Sequence, residues 1–238
     1  MKRGFFTIMA AQFFSSLADN AVFIVAIELL RNGNAPILHA AALVPMFALF
    51  YVILAPFVGA FADAQPKGQV MFYSNAIKVG GCLFMLFGSY PLIAYAIVGL
   101  GAAIYSPAKY GILTELLPAS QLVKANGWIE GLTIGSIILG VLLGGQLVGH
   151  NFSALLLSFD FPIFDTFVDT PPEAAICILV VVYGIAAWFN TRIPLTGVSL
   201  RPLPKNLLIL LPDFWLCNKR LWQDKLGQIS LSTTTLFW

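Results

Sequence analysis

The 238-residue chain is 59% hydrophobic and 10% charged, whereas an ordinary soluble domain runs near roughly 45 to 50% and about 25%. Its 13 Lys and Arg against 11 Asp and Glu leave a net charge of +2, with no basic stripe dense enough for nucleic acid. These values exclude a water-solvated globule and a nucleic-acid partner, and they place the chain in a bilayer.

A membrane helix needs roughly 20 apolar residues, and such runs recur along the chain. Met1-Lys2-Arg3 opens like a signal peptide, but the apolar run from Phe5 to Leu30 lacks an A-x-A cleavage site and, at about 26 residues, exceeds the roughly 7 to 15 of an h-region. It reads as a first membrane helix that stays. Further helices are predicted over Pro36 to Phe61, Gln69 to Tyr90, Leu92 to Tyr105, Ala125 to Val148 and Ala174 to Asn190. The fourth is short because Pro107 is expected to end it, which would leave Lys109 and Tyr110 at interfacial depth, suited to membrane anchoring or to an anionic headgroup. Residues 1–191 thus form a six-helix transmembrane bundle, and residues 192–226, basic and broken by prolines, form a connecting segment. Residues 227–238 resemble the start of a seventh helix; about 10 residues reach only about 15 Å, half a bilayer, so the chain is expected to be C-terminally truncated.

Lys and Arg concentrate in cytoplasmic loops. Placing the N-terminus inside puts Lys2, Arg3, Lys67, Lys109, Lys124, Arg192, Arg201, Lys205, Lys219, Arg220 and Lys225 on the cytoplasmic side, with only Arg31 outside and Lys78 within a helix. Asp160, Asp165, Asp169 and Glu173 gather in one outer loop.

Polar residues inside the membrane carry the functional signal, since an ionised Asp at a helix centre costs about 2.5 to 3.5 kcal/mol on insertion scales. In the first helix Gln12, Ser15, Ser16, Asp19 and Asn20 recur at i, i+3, i+4, i+7 and i+8 and so share one face. That face is expected to look into a cavity; the plainer alternative is hydrogen-bonded glue between helices. Lys78, in the third helix, needs a carboxylate or a route to water, and Asp19 is the candidate partner. In the fifth helix Gly127, Gly131 and Gly135, with Gly140 and Gly144 beyond, read as a packing seam. Asn126, Glu130 and Thr133 occupy a different stripe, and Glu130 is a candidate for lining the cavity. Cys82, Cys177 and Cys217 lie far apart without a CxxC pattern, which supports neither a disulfide framework nor a metal site. No cofactor is indicated, and the absence of a GxxxxGK[ST] phosphate loop argues against ATP-driven movement.

Gly59-Ala-Phe-Ala-Asp63-Ala-Gln-Pro-Lys67-Gly68 lies between the second and third helices and resembles the loop signature of the major facilitator superfamily, with Ala64 where that pattern favours a basic residue. The resemblance implies that the loop acts as a charge latch, Gly59 giving the turn and Asp63 the charge; a simple tight turn is the alternative. Gln12-Phe13 with Asp19-Asn20, Ala55-Pro56-Phe57-Val58-Gly59, Tyr105-Ser106-Pro107-Ala108-Lys109-Tyr110-Gly111-Ile112-Leu113 and Leu122-Val123-Lys124-Ala125-Asn126-Gly127 together are similar to the lysophospholipid transporter (LplT) family within it. The likeness runs over about residues 5 to 145 and returns weakly near Ser230 to Trp238. It implies an all-α integral membrane protein, the six-helix N-terminal half of a fold of about twelve helices. It further implies carriage of lysophosphatidylethanolamine and related lysolipids to the cytoplasmic leaflet of the bacterial inner membrane, where an acyltransferase partner re-acylates them. The outer loop from Gly149 to Glu173 is longer than the family leads one to expect.

Gln12, Asp19, Asn20, Lys78, Lys109, Tyr110, Asn126 and Glu130 are therefore the candidate substrate-binding residues, and Gly59, Asp63, Lys67 and Gly68 the candidate conformational loop. Rival readings are another secondary transporter of the same fold, for drugs or metabolites, and an inactive transporter fragment. An acyltransferase enzyme is disfavoured, because neither His39 nor His150 has an Asp five residues on to orient its ring as a general base.

Overall fold

The computed structural model describes residues 3–149, 152, 168 and 170–237. Lys2, His150, Asp160, Asp165 and Asp169 lie outside the described residues. Among the described residues the bundle is built from seven helices: α1 (Arg3–Asn32), α2 (Ile37–Ile53), α3 (Ala55–Asp63), α4 (Lys67–Leu86), α5 (Pro91–Leu116), α6 (Ala119–Val148) and α7 (Pro171–Thr191). A short 3₁₀ turn at Leu207–Ile209 then leads into α8 (Leu210–Gln223) and α9 (Lys225–Phe237). Helix dominates because a chain in hydrocarbon must satisfy every backbone group within its own segment.

By length and apolar composition α1, α5, α6 and α7 qualify as spans on their own, and α2 with α3 qualifies as one broken span. Helix α4 is long enough but too polar to qualify by itself, carrying Lys67, Ser74, Asn75 and Lys78, all buried inside the bundle. The chain is a multi-pass membrane protein.

Pro56 and Pro107 behave in opposite ways. The second span was predicted as one helix over Pro36 to Phe61, but it bends by 62° between Ile53 and Ala55. Pro56 there has no N–H to donate one turn back, and its ring crowds the carbonyl of Val52. Pro107, expected to end the fourth helix, instead lies inside α5, which runs on to Leu116. Ala108, Ile112 and Leu113 beyond it are buried in the core, and that burial offsets the one hydrogen bond a proline forfeits.

Helix α1 is the centre of the bundle, packing along α6 and α7 and against α5, while α4 packs along α5 and α7 and α2 along α5. Two apolar cores result. One contains Val22, Val25, Met85, Val98, Leu147 and Leu179; the other contains Phe5, Ile8, Met71, Ile112, Ile129 and Ile193. Between them α1, α4, α5 and α7 each contribute polar side chains to one layer.

Small residues set the closest approaches. A Cβ on Gly140 would strike the Leu17 carbonyl and come within 2.9 Å of Asn20 Cβ, and one on Gly144 would lie 2.8 Å from the Ala21 carbonyl oxygen. Gly127, Gly131 and Gly135, expected to be part of that seam, have no atom within 4 Å of such a Cβ. The α1–α6 seam therefore occupies only the second half of α6. Replacing Gly140 or Gly144 by Ala is expected to cost about 1–3 kcal/mol by overpacking. Gly131→Ala is expected to be neutral or to stabilise by about 0.5–1 kcal/mol. Thermal unfolding in detergent checks the order, and the reverse ranking would remove the seam from Gly140 and Gly144.

Candidate functional site

The polar stripe on α1 meets its partners from three other helices. Lys78 on α4 is 1% exposed, and its Nζ lies 2.7 Å from Asp19 Oδ2. It also donates to Ser15 Oγ at 2.9 Å, and Ser15 passes the chain on by donating to Asn75 Oδ1 at 2.8 Å. On the other carboxylate oxygen, Asp19 Oδ1 accepts from the Tyr183 hydroxyl of α7 at 2.7 Å. The Lys78 ammonium stands 5.1 Å from the ring centre of Tyr105 and 5.7 Å from that of Tyr183, close enough for attraction to their π faces. The cation thus has its carboxylate, a hydroxyl and two aromatic faces, as a buried charge requires.

Asp19 is the member of this network nearest to open space, with 17% of its side chain exposed against 1% for Lys78. Asn20, beside it, donates back to the Ser16 carbonyl at 2.8 Å and is half-buried. Gln12, lower on the same face, donates to Thr133 Oγ1 on α6 at 3.1 Å. Gln12, Ser15 and Asp19 thus join helices, and Asp19 and Asn20 remain partly accessible besides.

A second polar group lies between α5 and α6. Tyr110 donates to Glu130 Oε1 at 2.7 Å, and Lys109 Nζ lies 4.3 Å over the Tyr110 ring. Because α5 continues past Pro107, Lys109 sits within the helix and is buried rather than resting at its end. Asn126 lies exposed one turn before Glu130 on α6, so Tyr110, Glu130 and Asn126 share one accessible polar surface, with the buried Lys109 behind it.

At one end of the bundle the loop between α3 and α4 carries a third group. Lys67 donates to Asp63 Oδ1 at 2.5 Å and to the Ala62 carbonyl at 2.8 Å, and Glu115 of α5 lies 3.7 Å away. The turn itself falls at residues 64–66, whereas Gly59, expected to provide it, is inside α3. Gly68 matters through close approach, since a Cβ there would lie 3.1 Å from the Asn190 carbonyl oxygen of α7. A cavity of about 890 Å³ opens beside this loop, lined in part by Asp63, Lys67, Glu115, Asn190 and Arg201.

Residues 8–234 match the sequence profile of the Major Facilitator Superfamily. This chain belongs to that superfamily. Proteins named lysophospholipid transporter LplT from Yersinia enterocolitica serotype O:8 / biotype 1B (strain NCTC 13174 / 8081), Yersinia pestis (strain Pestoides F) and Yersinia pseudotuberculosis serotype O:3 (strain YPIII) are each 37% identical to it over 243 residues, an alignment covering 100% of this chain and 54% of theirs. The chain spans about half the length of the curated relatives it matches. Its helical bundle corresponds to the N-terminal half of a major facilitator fold.

Within that fold the sequence pointed to Asp19 and Lys78 as partners, and they are partners here. It did not point to Tyr183, which lies in the apolar middle of α7, nor to Asn75, Tyr105 or Glu115. Only the requirement that Asp19 fill both oxygens could have suggested a further donor.

Removing one member of the buried pair is expected to cost more than removing both. Lys78→Met or Asp19→Asn alone should destabilise by about 3–5 kcal/mol, while the double variant should recover most of that loss. Thermal unfolding of the four proteins in detergent closes the cycle, and strictly additive losses would show that the pair is not coupled. On the loop, Lys67→Met should destabilise more than Asp63→Asn in the same assay, because Lys67 is buried and Asp63 is exposed.

Proposed function

We propose that this chain is the N-terminal half of a lysophospholipid transporter, carrying lysophosphatidylethanolamine and related lysolipids from the outer to the cytoplasmic leaflet of a bacterial inner membrane without ATP. The observation that carries this reading is the 37% identity along the whole chain to proteins named for lysophospholipid transport. The partly exposed carboxylate of Asp19 beside Asn20 suits the ammonium of a zwitterionic headgroup, and the Tyr110, Glu130 and Asn126 surface, with Lys109 buried behind it, adds a carboxylate and hydrogen-bonding groups for the same headgroup. Gln12 joins this set as a polar wall of the same face. Lys78 acts through its 2.7 Å ion pair with Asp19, so its part is to position the carboxylate.

A second six-helix half would cover the exposed face of α6, where Val123, Trp128, Ile134 and Ile138 lie uncovered, and close a cavity around these groups. The Asp63, Lys67 and Glu115 cluster, with Gly59 and Gly68 on either side, is the latch: its ion pairs hold α3, α4 and α5 together at one end in one state and part in the other. The excess of Lys and Arg in the loops at that end supports a cytoplasmic N-terminus. An acyltransferase acting on the delivered lysolipid is the partner this direction of transport implies. The rival reading, export of a drug or metabolite by the same fold, is favoured by no residue here.

The test is uptake of labelled lysophosphatidylethanolamine into spheroplasts lacking their own transporter. It compares this chain, the chain completed by a second six-helix half, and the completed protein with Asp19→Ala. Uptake by the completed protein, reduced at least about 100-fold by Asp19→Ala through loss of a charge-assisted contact, is the expected result. A well-expressed completed protein that takes up none would overturn the substrate assignment and leave the superfamily assignment standing.

A further inference from the structure

The segment after the sixth span was expected to be a plain connector, yet it contains α8, whose surface suits neither water nor the bundle interior. Leu211, Trp215 and Trp222 fall along one edge of the helix at i, i+4 and i+11, and Lys219 lies beside that edge. Trp215 is 70% exposed and Trp222 61% exposed. Immediately before the helix, Leu208 is 66% exposed. Uncovered tryptophans next to lysine are the arrangement that settles at the boundary between headgroups and acyl chains.

The segment is also held at the right place. The Arg201 N–H donates to the Asp63 carbonyl at 3.0 Å, Thr196 donates to Glu115 Oε2 at 2.5 Å, and α8 packs against α3. These ties keep α8 beside the ends of the spans instead of letting it drift into solvent. From Arg201 to Lys225 the segment carries five Lys and Arg against two Asp. A positive amphipathic helix fixed at the end of a membrane bundle meets a surface of complementary charge when that leaflet contains anionic lipid.

We infer that α8 is an interfacial helix that lies on the leaflet at the Asp63–Lys67 end of the bundle, with Trp215 and Trp222 in the headgroup boundary and Lys219 and Arg220 on anionic headgroups. Its adsorption biases the latch directly, because the backbone bond from Arg201 to Asp63 joins the lipid-bound segment to the loop. This assignment does not depend on the substrate carried or on which side of the membrane that end faces.

The experiment places the chain, one copy per nanodisc, in lipid of neutral phosphatidylcholine or of phosphatidylcholine with phosphatidylglycerol. Trp128, Trp188 and Trp238 are replaced by Phe, so that Trp215 and Trp222 are the only emitters. Lipids brominated at a shallow acyl position are expected to quench that emission more than deeply brominated ones, and more so with phosphatidylglycerol present. Lys219→Gln with Arg220→Gln is expected to abolish the phosphatidylglycerol increment without changing the thermal midpoint of the bundle. Emission quenched by aqueous iodide and not by brominated lipid would overturn the inference by showing a solvated helix. Emission shielded from both quenchers would overturn it in favour of a protein surface covering α8.

Discussion

An ammonium placed between two apolar cores must be neutralised where it stands, and in this bundle that requirement falls on Lys78. Its carboxylate can come only from a helix within reach, and Asp19 on α1 supplies it at 2.7 Å. The remaining oxygen of Asp19 then needs a donor, which draws the Tyr183 hydroxyl of α7 to 2.7 Å. One buried charge thereby fixes the rotation of three helices about their axes, because turning any of them would strand a charge or a polar group in a low-dielectric interior.

Close packing supplies what the polar layer lacks in area. Lipid tails are as apolar as the side chains they would replace, so helices in a membrane gain little from burying Leu against Leu and more from letting backbones approach. Gly140 and Gly144 let α6 lie directly on the Leu17 and Ala21 carbonyls of α1, and Gly99 does the same for α5 against the backbone at Phe47. The polar layer sets the rotation of the helices, and these glycines set their separation. Together they hold Asp19 and Asn20 at the margin of the core, where a charged group can be both paired and reached.

The spans themselves were legible from apolar run length, and the polar face of α1 from its 3.6-residue spacing. Proline was not legible in the same way. Pro56 and Pro107 each remove one hydrogen bond, but Ala108, Ile112 and Leu113 are drawn into the core beyond Pro107, whereas Phe57, Val58 and Gly59 beyond Pro56 are not buried. The glycines tell the same story: five with similar spacing look alike in one dimension, and only the two facing α1 lie at a crossing. Lys109 moved from the membrane surface into a helix for the same reason that Pro107 failed to stop it.

Composition and periodicity by themselves determined that the chain lives in a bilayer, roughly where its helices lie and which residues would be costly to leave unpaired. Those properties follow from local transfer energies, which each residue carries wherever it is placed. Tertiary structure alone decided that Tyr183 and Asn75 complete the network around Lys78, that the chain bends by 62° between α2 and α3, and that Lys67 joins Asp63 to Glu115. The network and the Lys67–Glu115 contact depend on residues far apart in sequence meeting at a few ångströms, and one-dimensional spacing records the need for a partner without recording which helix brings it.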